Sequence, residues 1–208
     1  IAGAAALLLQ AHPSWSHDEV KAALMATADP ATVHSAEADA PASVLSAGAG
    51  RIDVARAATT DLVFEPSSVA LTQATPGGAY TVTVAARDLR ASGKRRAMTA
   101  TISTSSGVTL TAPSRLDLLP GKDIEVSLAL TVAPDTAPGD YEASLLLSGG
   151  AVVARLPIWI RVRARQEAAE VLVIDNDFSF FAGFGDYASY VEAALKAAGV
   201  SYQVWNTD

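Results

Sequence analysis

The stretch Ile124-Glu125-Val126-Ser127-Leu128-Ala129-Leu130-Thr131-Val132 puts a large apolar side chain at every second position, with polar or small residues between. A period of two belongs to an extended strand with one face buried and the other wet. The same alternation recurs in Tyr80, Val82, Val84 and Ala86, in Tyr141, Ala143, Leu145 and Leu147, and in Ile158, Ile160 and Val162. Turn sequences separate these runs: Pro76-Gly77-Gly78, Ser92-Gly93, Pro120-Gly121, Pro138-Gly139-Asp140 and Gly149-Gly150. About seven short strands at this spacing predict an all-β sandwich over residues 61–165.

Toward the N-terminus the period changes. Over residues 1–58, Ile1 to Ala11 is apolar all round apart from Gln10, the pattern of a helix buried on every side. Pro13 stops it. Ser16 stands three residues before Glu19, a capping box that opens a second helix. Val20, Ala23, Leu24 and Ala28 keep helical spacing until Pro30. Ala31 to Ser46 reads as loop, Gly48-Ala49-Gly50 as a turn, and Ile52 to Ala58 as a last short helix.

Toward the C-terminus, residues 170–208 read as β-α-β. Val171-Leu172-Val173-Ile174 is a continuous apolar run, as in a parallel strand buried on both faces. Tyr190, Val191, Ala194, Leu195 and Ala198 form a helical stripe capped by Gly199, and Tyr202, Val204 and Trp205 begin a second strand. One such unit is the beginning of an α/β domain and does not complete one.

Half of the residues are hydrophobic and only 18% are charged, which excludes a disordered chain. The net charge of −7 argues against a nucleic-acid partner, because phosphate neutralisation needs a basic patch. The single basic cluster, Lys94-Arg95-Arg96, reads as a solvated hairpin tip. No cysteine is present, so disulfides, thiolate metal sites and cysteine catalysis are excluded. The apolar run Ile1 to Leu9 is too short for a transmembrane segment, which takes about 20 residues.

Residues 1–57 resemble a known family. Ile1-Ala2-Gly3-Ala4-Ala5-Ala6-Leu7-Leu8, His12-Pro13-Ser14-Trp15-Ser16 and Val20-Lys21-Ala22-Ala23-Leu24-Met25-Ala26-Thr27-Ala28 resemble the helix pair after the catalytic serine of subtilisin-like serine peptidases. Gly48-Ala49-Gly50-Arg51-Ile52-Asp53-Val54-Ala55-Arg56-Ala57 resembles the closing segment of that peptidase domain. The middle segment is similar to the immunoglobulin-like or fibronectin-III-like sandwiches that follow such domains in cell-envelope enzymes. It lacks the Cys…Trp…Cys signature of true immunoglobulin domains. The last segment resembles an α/β module of secreted multidomain peptidases.

The resemblance implies a mixed architecture: the helical C-terminal end of a subtilisin-like α/β domain (1–58), a sandwich (61–165) and the start of an α/β domain (170–208). It implies a secreted or cell-envelope endopeptidase acting on protein or peptide substrates by a Ser-His-Asp mechanism, with calcium sites possible in the whole enzyme. The catalytic Asp, His and Ser are expected upstream of Ile1, so no catalytic or cofactor-binding residue is expected here, and the alternative is a binding or spacer module of a cell-surface protein. With its surroundings missing, the Ile1 helix is expected to self-associate or to leave residues 1–46 poorly anchored.

Other candidates stand beside that reading. Asp175-Asn176-Asp177 falls where a strand of an open α/β sheet ends, a place where ligands bind and paired carboxylates hold Mg²⁺ or Ca²⁺. The alternative is that Asp175 and Asp177 cap the turn and helix, and Ser179 departs from a phosphatase-type Asp-x-Asp pattern. Phe178, Phe180, Phe181 and Phe184 cluster with Tyr187 and Tyr190, as either a recognition platform or packing against a neighbour. Gly183 and Gly185 form no phosphate-binding loop. The spacing of His12, His17 and His34 matches no zinc pattern, and they read as capping or solvated residues.

Overall fold

The computed structural model describes residues 1–35, 41–164, 169–175 and 187–206. The chain divides into two compact units, residues 1–164 and 165–208.

The first unit opens with helices. α1 (Ala2–Ala11) and α2 (His17–Thr27) are joined through Pro13, and α3 (Val44–Ala47) and α4 (Val54–Thr59) follow. Both halves of the capping box form at α2: Glu19 N–H donates to Ser16 Oγ, and Ser16 N–H donates to the Glu19 carboxylate at 2.7 Å. Asp53 caps α4 by accepting from Arg56 N–H.

Nine strands then build a two-sheet sandwich, two more than the spacing predicts. β1 (Leu62–Glu65), β3 (Ala79–Asp88), β7 (Asp123–Val132) and β5 (Val108–Thr111) form one sheet in the order β1-β3-β7-β5. β2 (Val69–Ala74), β9 (Val152–Val162), β8 (Gly139–Gly149), β4 (Arg96–Thr104) and β6 (Arg115–Leu118) form the other in the order β2-β9-β8-β4-β6. The short β5 and β6 flank Pro113 and carry too few residues to show a period. The alternating side chains meet between the sheets: Val126, Leu128 and Leu130 from one, Leu145, Leu147, Ile158 and Ile160 from the other, all at most 3% exposed.

A second, smaller cluster lies under the helices: Ala4, Leu8, Val20, Ala23, Leu24 and Ala57 with Val63 of β1. Only one face of α1 is covered. Ala4 and Leu8 are buried, whereas Ile1, Leu7 and Leu9 are 90%, 57% and 43% exposed. The expected burial on every side is therefore not met within this chain, where α2 and α4 are the helices against which α1 packs.

The basic cluster also departs from expectation. Lys94 and Arg95 are exposed, but Arg96 begins β4 with its side chain only 16% exposed, paired with Asp61 at 2.8 Å. Arg90 clamps Asp88, which is fully buried, through Nη2 at 2.7 Å and Nε at 2.9 Å. Burial alone would push the Asp88 carboxyl up, but hydrogen bonds from the Arg90 side chain and backbone, with the charges of Arg96 and Arg90, outweigh it and hold it below its ordinary value.

In the second unit, β10 (Val171–Asp175) and β11 (Tyr202–Asn206) pair in parallel around α5 (Ala188–Ala198), the β-α-β pattern read from the sequence. β10 is not buried on both faces: Leu172 and Ile174 are 55% and 60% exposed while Val171 and Val173 are partly covered. Among the described residues, one helix shields one face of a two-stranded sheet.

Two outcomes follow from these contacts. A Cβ at Gly50, whose φ is +116°, would sit 2.4 Å from the Asp29 carbonyl oxygen. Gly50→Ala should therefore lower stability by about 2 kcal/mol or more in urea unfolding. Because the Asp88 pKa is depressed on folding, its contribution is complete above the unfolded value of about 4 and is lost as pH falls through the lower folded value. Asp88→Asn should cost about 2–3 kcal/mol at pH 7, below the full range for buried pairs because Arg90 stays 24% exposed. It should also flatten the loss of stability below pH ~4 seen by circular dichroism.

Candidate functional site

The two stretches that carry the family resemblance, remote in sequence, come together at one place. Asp29, just beyond α2, exchanges backbone hydrogen bonds with Arg51, each 2.9 Å. Gly50 makes the approach possible because it has no side chain to meet the Asp29–Pro30 peptide. Gly48, at φ +60°, ends α3. The turn glycines and Asp53 thus have local physical roles: helix stop, close backbone approach and helix cap.

Between α1, α2 and this turn lies an apolar groove of about 430 Å³, lined by Ile1, Ala5, Leu9, Val20, Leu24, Met25 and Ile52 among others. Among the described residues that line it, the titratable side chains are His17 and Lys21. Such a surface receives apolar groups.

The histidines do not meet. The His12 ring stacks on Trp15 with centroids 3.9 Å apart, and its Nε2 lies 2.7 Å from the Ala58 carbonyl oxygen. This joins the end of α1 to the end of α4. His17 is 92% exposed and lies 3.5 Å from Asp18. His34 sits in a short backbone bridge with Pro41. Among the described residues no serine hydroxyl donates to the ring of His12 or His17.

Asp175 is the last residue of β10, at the carboxyl end of a parallel strand as expected, opposite Asn206 in register. Asp177 lies outside the described residues, as do Phe178, Phe180, Phe181, Phe184, Gly183 and Gly185. Tyr187 and Tyr190 are 60% and 73% exposed at the start of α5. Among the described residues no three His, Asp or Glu side chains are grouped so as to hold a metal ion.

Sequence reasoning missed the polar contacts that hold the helices on the sandwich. The Glu142 carboxylate accepts from Val44 N–H, and Arg155 Nη1 reaches the Ala49 carbonyl at 3.5 Å. Burial lowers the Arg155 pKa, opposed in part by Glu142. Arg87 pairs with Asp123 at 2.8 Å and approaches Glu19 of α2 at 3.8 Å. The available signal was charged residues on strands that otherwise alternate cleanly, but it names no partner across 36 to 106 residues of chain.

No family model matches the chain. Among solved structures, Escherichia coli alpha-2-macroglobulin in its native conformation is 17% identical over 48% of this chain, with a TM-score of 0.40, and the match spans 6% of that protein. The Caenorhabditis elegans MSP family member WR4 is 8% identical over 49% of this chain and 98% of its own, with a TM-score of 0.36. PapD-like domain 7 of human CEP192 is 10% identical over 51% of this chain and 88% of its own, with a TM-score of 0.38. These are distant likenesses of β-domains, each to about half of this chain.

Proposed function

We propose that residues 1–58 are the C-terminal helices of a subtilisin-like serine peptidase domain, and that residues 61–165 and 170–208 are accessory parts of the same secreted or cell-envelope enzyme. The observation that carries this reading is that the two resembling stretches are brought together by the bridge between Arg51 and Asp29, one residue past the first stretch, beside a largely apolar groove. An apolar groove and the exposed Ile1, Leu7, Leu9 and Ile52 suit elements that pack against further apolar structure.

In this reading the peptide-bond chemistry belongs to residues outside the 208 described by this sequence. A serine attacks the substrate carbonyl, a histidine takes and returns its proton, and an aspartate orients the histidine. The residues here contribute scaffold: they hold the helix that follows the serine and brace it from below with Val20, Leu24 and Ala57. The substrate is a protein or peptide, and any calcium belongs to the remainder of the enzyme.

Two measurements test this. A casein-peptide cleavage assay would compare this chain with one extended upstream through a Gly-Thr-Ser-Met-Ala-x-Pro-His motif and the preceding histidine and aspartate regions. Cleavage by the extended chain alone, blocked by a serine-directed inhibitor, is the expected result. Cleavage by the short chain would overturn the placement of the chemistry and make Asp175 and Asp177 the first residues to mutate, whereas an upstream frame without that motif would end the peptidase reading and leave a binding or spacer module. Sedimentation velocity should show the short chain self-associating through the α1 face, and Leu9→Glu should shift it to monomer. A monodisperse short chain would count against the uncovered face being an interior surface.

A further inference from the structure

The sandwich and the helices share a strand. β1 is buried on both sides: Leu62 and Phe64, 0% and 1% exposed, belong to the core between the sheets, while Val63, 2% exposed, belongs to the cluster under the helices. α2 answers it. It packs on β1 of one sheet and on β9 of the other, and its Ala26 is a member of the sandwich core while Val20, Ala23 and Leu24 serve the helical cluster. Each core therefore contains a residue from the other's sequence segment.

Polar contacts tie the same seam. Asp61 pairs with Arg96 at the foot of β4, and its carbonyl accepts from Leu89 N–H at 2.8 Å. Glu142 of β8 holds Val44, and Arg155 of β9 holds the turn at Ala49. The side chains Arg96, Glu142 and Arg155 all come from the five-stranded sheet; two of them grip the 44–49 stretch enclosed by the Asp29–Arg51 bridge, and the third grips Asp61 beyond it.

We propose that β1 and α2 form a conformational coupling, so that the N-terminal helices and the sandwich open as one unit and any event that loosens the sandwich at β1 or β9 releases α2. A tethered accessory domain would behave otherwise: its core would open without the helices sensing it. The coupling holds whether or not the chain belongs to a peptidase. If it does, the sandwich sets the stability of the helices that brace the catalytic serine.

Native-state hydrogen exchange of the full chain, read by mass spectrometry at increasing urea, tests this. Peptides from α2 and from β8 should reach the same opening free energy and the same urea dependence. Leu145→Ala, in the sandwich core and outside the helical cluster, should speed exchange in α2 and β8 by the same factor, about 30-fold or more. Leu8→Ala, in the helical cluster, should do the same in reverse. Should Leu145→Ala prevent folding, Ile158→Val offers the same test, with a common rise of about 2- to 10-fold. Exchange in α2 that runs at its own lower free energy and ignores the sandwich variants would overturn the coupling.

Discussion

Three successive residues of β1, Leu62, Val63 and Phe64, carry a double burial on which the first unit rests. A sheet in a sandwich ordinarily shows one face to the core and one to water, and its strands alternate accordingly. β1 is apolar at three successive positions instead, and all three are buried. At about 25 cal/mol per Å² of apolar surface, uncovering either face would expose its strand and the opposing helix or sheet together. Neither cluster can be dismantled without exposing part of the other.

The polar groups near that strand follow from the same burial. Asp88 lies at the end of β3 with no exposure to solvent, and a carboxylate there is tolerable only with cations and donors aimed at it. Arg90 and Arg96 meet that need, and Asp61 in turn pairs with Arg96. The β3–β4 connection is thereby tied to the segment that leads from α4 into β1. The β3–β4 connection is held by these charges and by Leu89, which packs on the cluster under the helices.

Coverage is uneven across the chain. The sandwich core is closed, with Leu145, Leu147, Leu156 and Ile160 fully buried, whereas α1 and β10 each have one covered face and one bare. In both places the bare face is made of large aliphatic side chains: Leu7 and Leu9 on the helix, Leu172 and Ile174 on the strand. The proposed place in a larger peptidase accounts for the first. The second suits a parallel sheet, whose strands are apolar on both faces because helices pack on both.

Much of this was legible in the residues. Period-two alternation marked the main strands, the Ser16–Glu19 pair marked the start of α2, and Gly199 marked the end of α5, because each rests on local geometry that neighbouring residues impose. The meaning of Gly50 as a point of close approach, the ion pairs of Asp61, Asp88 and Arg96, and the two-sided burial of β1 were not legible. Lys94, Arg95 and Arg96 look alike in sequence, yet only Arg96 turns inward, because β4 begins there and places it beside Asp61. Periodicity, caps and turns belonged to the sequence alone. Which charges pair, and that the two cores of helices and sandwich share the strand β1, were decided by tertiary structure, because burial and partnership depend on residues brought together from distant parts of the chain.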